Sequence, residues 1–452
     1  MQRTVAKLAS LALLLLGFLT ATTLHSLNHS DFDTLAATPQ EASTAKSWEN
    51  AQRVHTLKPL GEPPPEATCT GFSIMSQAFS PDNQTLAVGV HSYVQSVCGG
   101  GTSNLTLWNL QTGKQIKTLV EGGVSEALLA IEEHRNQEPD DPNALVGNIA
   151  HQVAFTPDGK ILAAAMSDKT IKLWNGKTGE LLRTLTGHNY AVYAIAISPD
   201  GQTLISGSSD KTIKLWNLKT GQLIRTLRDS QPVYRLLLSS DGESLASVTS
   251  ANSLSYGMGD TTVRLWNLKS GQVVRTLSDF ADYSAPPVLS PVREAFSEGV
   301  GQILVTGSND NSIRLWNART GVRIRSLMSH SATVTRLAIS PDGQFLASSS
   351  NDGSVKLWNF KTGQIIRTIP DLKYINSLAF SSDGRTLAMH DGSRGLQLWN
   401  WRLPKKIRTM EATPNFTFSP DGQTLLTSHM HSLQVWRSNA NSVIKNLTPQ
   451  PP

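Results

Sequence analysis

The stretch SPDGQTLISGSSDKTIKLWN, Ser198–Asn217, decides how this chain folds. It opens on Ser198-Pro-Asp-Gly201, a tight turn built from a φ-restricted proline, a side chain that bonds its own backbone, and a glycine free to take positive φ. Thr203 to Ser208 then reads as a strand, Asp210-Lys211 as a short turn, and Ile213 to Trp216 as the next strand. Upstream, Val192 to Ile197 supplies a strand before the turn; downstream, Leu218-Lys-Thr-Gly221 turns again into Gln222–Leu227. Short alternating segments bounded by Pro, Asp and Gly are the pattern of a half-buried antiparallel sheet. Four such strands cannot bury both faces alone. Stacking copies around an axis buries them.

The copies are present. Trp108, Trp174, Trp216, Trp266, Trp316, Trp358, Trp399 and Trp436 each end an alternating segment such as Thr170-Ile-Lys-Leu-Trp174. Eight units favour an eight-bladed ring, and a seven-bladed ring would leave the first or last unit outside. The fourth-strand segments include one surplus member. Gln52–Leu57, following Trp48-Glu-Asn50, imitates the passage from a third to a fourth strand and is the preferred closing strand, which leaves Ser442–Leu447 as an extra edge or tail; closure wholly within the C-terminal repeat, with residues 48–57 outside the ring, is the alternative.

Ser198–Asn217 and its copies resemble WD40 repeats of the bacterial type over most of the chain from Trp48 to Leu447, with Asn, or Arg437 in the last repeat, in place of Asp after the tryptophan. The resemblance implies an all-β propeller of four-stranded antiparallel blades. It also implies a buried hydrogen-bond network, matched in full by His188, Ser206, Asp210 and Trp216 and by His330, Ser348, Asp352 and Trp358. The Trp316 unit keeps Thr306 and Asp310 without the histidine. A His-Ser-Asp set suggests a hydrolase, but one recurring in register with the repeat is expected to rigidify blades instead.

Departures from the repeat point to function. Insertions at Val90–Ser103, Val120–Asn148, Thr249–Gly259 and Ser278–Pro291 all fall after a second or a fourth strand, hence on one face. The largest holds seven carboxylates between Glu121 and Asp141 and a short helix expected over Ser125–Arg135, with Leu128 and Ile131 on one side. Their number and spacing match no calcium loop. Leu128, Ile131, Tyr256 and Tyr283 are the candidate partner-binding residues. Cys69 and Cys98 flank the first blade's opening strands, and an oxidising compartment would join them, stabilising by about 3–4 kcal/mol.

That compartment is suggested by the first residues. Arg3 and Lys7 precede an apolar run, Leu8 to Leu19, roughly 18 Å long as a helix and short of the ~30 Å bilayer core. Residues 1–24 read as a secretory signal or uncleaved anchor, 25–47 as a linker, 48–447 as the propeller and 448–452 as a tail. No phosphate loop, nucleophile elbow, His-Glu-x-x-His or paired-cysteine metal motif occurs. Net charge is only +5, and the Lys/Arg positions that recur in each repeat read as solvated strand faces, not a nucleic-acid surface. A monomeric, exported, non-catalytic platform for a protein or peptide is therefore expected, without cofactor or metal. An extracytoplasmic hydrolase or lyase with an axial site, and a membrane-tethered sensor, are the alternatives.

Overall fold

Asp200 shows why each unit folds as it does. Its Oδ1 accepts Ser198 Oγ at 2.5 Å and the Gln202 N–H at 2.9 Å, while Ser198 Oγ accepts the Thr203 N–H at 2.9 Å. The turn thus caps itself and releases two strands in antiparallel register, Ile197 opposite Leu204. The computed structural model describes residues 48–49, 51–58, 70–94, 103–122, 148–249, 262–277, 288–289, 302–308, 310–403, 405–429 and 432–438.

These residues form eight four-stranded antiparallel sheets arranged as an eight-bladed β-propeller; the seven-bladed arrangement is excluded. Blade 3 is Val192–Ile197, Thr203–Ser208, Thr212–Asn217 and Leu223–Arg228, in that spatial order from inside to outside. The innermost strands of the other blades are Thr70–Phe79 (blade 1), Ala150–Phe155 (2), Val233–Leu238 (4), Val288–Leu289 (5), Val334–Ile339 (6), Ile375–Phe380 (7) and Phe416–Phe418 (8). Blade 8 completes its sheet with Gln52–Leu57, which pairs antiparallel with Ser432–Arg437 from Gln52↔Arg437 to Leu57↔Leu433. The ring therefore closes through the N-terminal segment. Ser442–Leu447, the other candidate edge, lies outside the described residues.

The core is a set of inter-blade seams. Trp216 packs with Ala163, Ile171 and Leu173 of blade 2, and Trp358 packs with Ile303, Val305 and Leu315 of blade 5. Each tryptophan thus wedges its own blade against the preceding one. At the closure, Leu57 joins Leu426, Leu433 and Val435 of blade 8 to Leu86, Val88 and Trp108 of blade 1.

Outer arginines that recur in the repeat are solvated, and several also tie neighbouring blades together. Arg225 Nη1 donates to Leu268 O at 3.1 Å and Lys269 O at 3.2 Å, and Arg325 Nη1 donates to Lys361 O at 3.0 Å. Each reaches the Lys-Thr-Gly or Lys-Ser-Gly turn of the next blade. Gly221 shows why glycine is needed there: its φ is +76°, and a Cβ would meet Arg183 Cδ at 2.3 Å. At the closure, Gly113 of blade 1 sits over His55 in the same way.

The insertions are narrower than the repeat pattern suggests. The second strand of blade 1 runs on to Val94 and the third begins at Ser103; the outer strand of blade 1 runs to Gly122. Backbone pairing with neighbouring strands extends regular structure past the point where the repeat pattern stops. Among the described residues no helix is long and apolar enough to cross a membrane. The expected helix at Ser125–Arg135 and the run Leu8–Leu19 lie outside them.

Candidate functional site

The histidine networks form as the repeat pattern implies. His188 Nδ1 donates to Asp210 Oδ2 at 2.8 Å, its Nε2 lies 2.7 Å from Ser206 Oγ, and Trp216 Nε1 donates to that same oxygen at 2.9 Å. His330, Asp352, Ser348 and Trp358 repeat the geometry at 2.8 Å for each of the three bonds. Burial opposes ionisation of Asp210, but hydrogen bonds from His188 and Thr212 outweigh it and hold the carboxyl at about 2; Asp352 is likewise held at about 2, through Ser354 and His330. Ser206 and Ser348 are 0% exposed. Neither hydroxyl can meet a substrate, so these sets hold blades together and do no chemistry.

Blade 4 reaches the same end with reversed charges. Asp229 stands where blade 3 has His188; its Oδ2 accepts Ser247 Oγ at 2.9 Å, and Trp266 Nε1 donates to that hydroxyl at 2.9 Å. Arg264, on the third strand, pairs with Asp229 Oδ1. An aspartate replaces the histidine as the group behind the serine, and an arginine replaces the aspartate as its counter-charge. Blade 5 keeps Thr306, which accepts Trp316 Nε1 at 3.0 Å, and Asp310, whose Oδ1 accepts the Ser312 N–H at 3.0 Å.

Four residues expected to bind a partner, Leu128, Ile131, Tyr256 and Tyr283, lie outside the described residues, as do Cys69 and Cys98. The structure brings forward a different set. His151, Tyr193 and Tyr234 occupy the same register position, the second residue of the innermost strand in blades 2, 3 and 4. Each is the extra residue of a β-bulge, between Ala150 and Gln152, Val192 and Ala194, and Val233 and Arg235. A bulge bends a strand and re-aims its side chains. Here the rings meet: His151 and Tyr193 have centroids 4.4 Å apart, and Tyr193 and Tyr234 4.9 Å apart. All three are partly exposed. Tyr374, which leads into the innermost strand of blade 7 at φ 54°, is 80% exposed. The sequence carried one signal for this row, a ring following the opening Ala or Val of each innermost strand.

His151 has a cost attached. Burial, and secondarily the charge of His91, push its pKa down to about 4 from 6.5. Between those values the unfolded chain holds the extra proton, so stability rises with pH across that window and falls as pH is lowered through it. His330, depressed by burial, acts in the same direction. A second loss follows below 3.8 as Asp210 and Asp352 are forced to protonate, complete near 2. Melting temperature measured against pH should show both steps, and His151→Phe should shrink the upper one; an unaltered profile would show His151 to be freely protonated in the fold.

An axial cavity of about 210 Å³ opens where the innermost strands of blades 1, 7 and 8 meet, lined by Met75, Ser76, Gln77, Ser377 and Asn415. Among the described residues no cluster of three His, Cys, Asp or Glu could hold a metal ion. The repeats themselves match a known family: "WD domain, G-beta repeat" aligns with residues 146–175, 179–217, 221–267, 298–317 and 321–359, within blades 2 to 6. The chain is a WD40-repeat protein. Similar proteins include the Notchless protein homolog of Arabidopsis thaliana, 33% identical over 86 residues, which is 19% of this chain and 18% of that protein. WD repeat domain-containing protein 83 of Homo sapiens is 52% identical over 40 residues, 9% of this chain and 13% of its own length. The matched part spans less than a fifth of either relative. WD40 propellers typically serve as protein-interaction scaffolds.

Proposed function

We propose that this WD40 protein is a non-catalytic platform that grips a protein or peptide on the propeller face where the innermost strands begin. The observation that carries the reading is the continuous row His151–Tyr193–Tyr234 across three blades. Partly exposed aromatic rings held by a rigid sheet offer contact area at low entropic cost, and such residues dominate interface energies. Connectivity supports the choice of face. Every blade runs in, out, in and out, so the links into innermost strands share a face with the links from second to third strands. The breaks in the repeat at 95–102, 123–147, 250–261 and 278–287 all fall at those links.

An exported setting belongs to the same reading. The run Leu8–Leu19 supports it. The test is fractionation of the source cells followed by affinity capture. A partner should be retained by the wild-type chain and lost about 30-fold with Tyr193→Ala/Tyr234→Ala, the scale of an interface anchor worth ~2 kcal/mol. Leu223→Ser, on an outer strand, should leave retention unchanged. Equal recovery on all three baits would remove the aromatic row from the reading, and recovery of the chain from the cytosol would remove export.

A further inference from the structure

Blade 5 departs from the other blades at the end of its outer strand, Arg323–Met328. In each outer strand the last buried aliphatic side chain is followed by an exposed residue. Where described, that residue is Lys58, Glu121, Thr186, Arg228, Pro370 or Glu411 in the other blades. In blade 5 it is Met328, 75% exposed after the buried Leu327. Outer strands also expose aliphatic side chains where they begin, such as Leu182 and Ile224, but there a bulge breaks the register with the third strand.

Met328 stands on a groove. A cleft of about 520 Å³ runs between this strand and the outer strand of blade 6, Ile365–Ile369, lined by Arg325, Leu327 and Met328 on one side and by Trp358, Gln364 and Ile365 on the other. Ties between the blades bound it. At one end Arg325 Nη1 donates to Lys361 O at 3.0 Å, and a Cβ on Gly363 would meet Leu327 Cδ2 at 2.8 Å. At the other, Lys356 Nζ donates to Ser329 O at 2.8 Å and to Ser329 Oγ at 3.0 Å. The groove is thus pre-formed, which lowers the entropic cost of filling it.

The strand beside it has an open edge. Arg323–Met328 pairs with Ser312–Asn317 on its inner side, and among the described residues no strand lies on its outer side. Its bulge falls at Ile324, and from Arg325 to Met328 the register is unbroken, Leu315↔Arg325 through Ser312↔Met328. Those residues can accept a further strand by backbone hydrogen bonding. Soluble proteins blunt such edges with charge, proline or bulges, and an exposed methionine at the regular end does the opposite. Side-chain alternation then selects the occupant. Arg325 and Met328 fall on opposite faces of the strand, so a chain laid alongside would set a carboxylate by one and an aliphatic group by the other. Arg325 and the bounding Lys356 supply positive charge, and no Asp or Glu is among the described residues that line the groove.

We propose that an extended segment of another protein, alternating acidic with aliphatic residues, adds to the blade 5 edge as a fifth strand and fills this groove. The surface is separate from the axial face, and partner capture through Tyr193 and Tyr234 stands or falls independently of it. Fluorescence anisotropy of a labelled six-residue peptide alternating glutamate with leucine, titrated with the purified full chain, tests it. Saturable binding is expected. Affinity should fall about tenfold or more with Met328→Glu, a change at an exposed side chain that leaves the seam intact. A like fall is expected for the same peptide N-methylated throughout, which removes its backbone donors, and for a peptide with lysine in place of glutamate. Ile224→Ser, on the outer strand of blade 3, should bind the peptide as wild type does. Absence of saturation, equal affinity for the lysine peptide, or undiminished binding by Met328→Glu or by the N-methylated peptide overturns the proposal. So does a dimer of the peptide-free chain that Met328→Glu abolishes, since a second copy would then hold the edge.

Discussion

Removing residues 48–57 should cost this propeller at least about 5 kcal/mol of unfolding free energy, more than any single substitution in a blade. The segment supplies the fourth strand of blade 8, and two of its apolar side chains are almost wholly buried, Trp48 at 2% and Leu57 at 1% exposure. Trp48 packs with Leu396, Leu398 and Met410 of blade 7 and meets Phe418 edge to face at 5.7 Å. Leu57 lies in the seam between blades 8 and 1. Truncating a core tryptophan and a core leucine costs about 3–5 and 2–5 kcal/mol respectively when each acts alone. Other ties go with them: Arg408 Nη1 loses its 2.6 Å bond to Ala51 O, and Lys405 loses Glu49 at 2.7 Å. The deletion also bares Ser432–Arg437 as an open edge, which invites strand pairing between molecules. Denaturant unfolding of a chain lacking residues 1–57, set beside one lacking only 1–47, isolates the strand. The shorter chain should unfold at much lower denaturant and self-associate, and a peptide spanning residues 48–57 should restore part of the loss. Equal midpoints would mean that the ring is held shut without this strand.

Much of this could be read before any coordinates, because the repeat concentrates its information in local chemistry. The Ser-Pro-Asp-Gly turn, the period-two alternation and the tryptophan ending each third strand act within about ten residues of one another. The strands of blade 3 accordingly fall within a residue of where alternation places them. The closing strand was legible for the same reason, since Trp48 and Gln52–Leu57 imitate a blade's own third-to-fourth passage. What escaped notice depends on residues far apart in sequence. Asp229 looks like a loop carboxylate until Arg264 and Ser247 are seen around it, and neither adjoins it in the chain. The outer arginines bond to backbone carbonyls of the next blade, acceptors that no residue letter announces. Tyr193 alone is an ordinary half-buried tyrosine. Only the ring places it between His151 and Tyr234.

Trp358→Ala should lower stability by about 3–5 kcal/mol, and the cost should track how completely the indole seals its seam. Trp358 is 2% exposed and fills the space between blades 5 and 6, with Leu315 and Leu327 on one side and Val334 and Leu346 on the other. Its Nε1 donates to Ser348 Oγ, the oxygen that also meets His330 Nε2. Alanine therefore leaves a cavity and also removes one member of a buried polar set, whose remaining groups must find other partners or stay unpaired. Trp358→Phe separates the two effects. It keeps most of the apolar volume and loses the donor, so about 1–2 kcal/mol of the total is expected to remain as the hydrogen-bond share. Trp399 in blade 7 is the internal comparison. It is only partly buried, and its Nε1 donates to Gln397 Oε1 at 3.1 Å, outside any histidine set. Trp399→Ala should cost clearly less than Trp358→Ala in the same denaturant series. Equal losses would mean that the tryptophans matter through their shared place in the ring, and that the His330–Asp352–Ser348 network adds nothing to the blade that contains it.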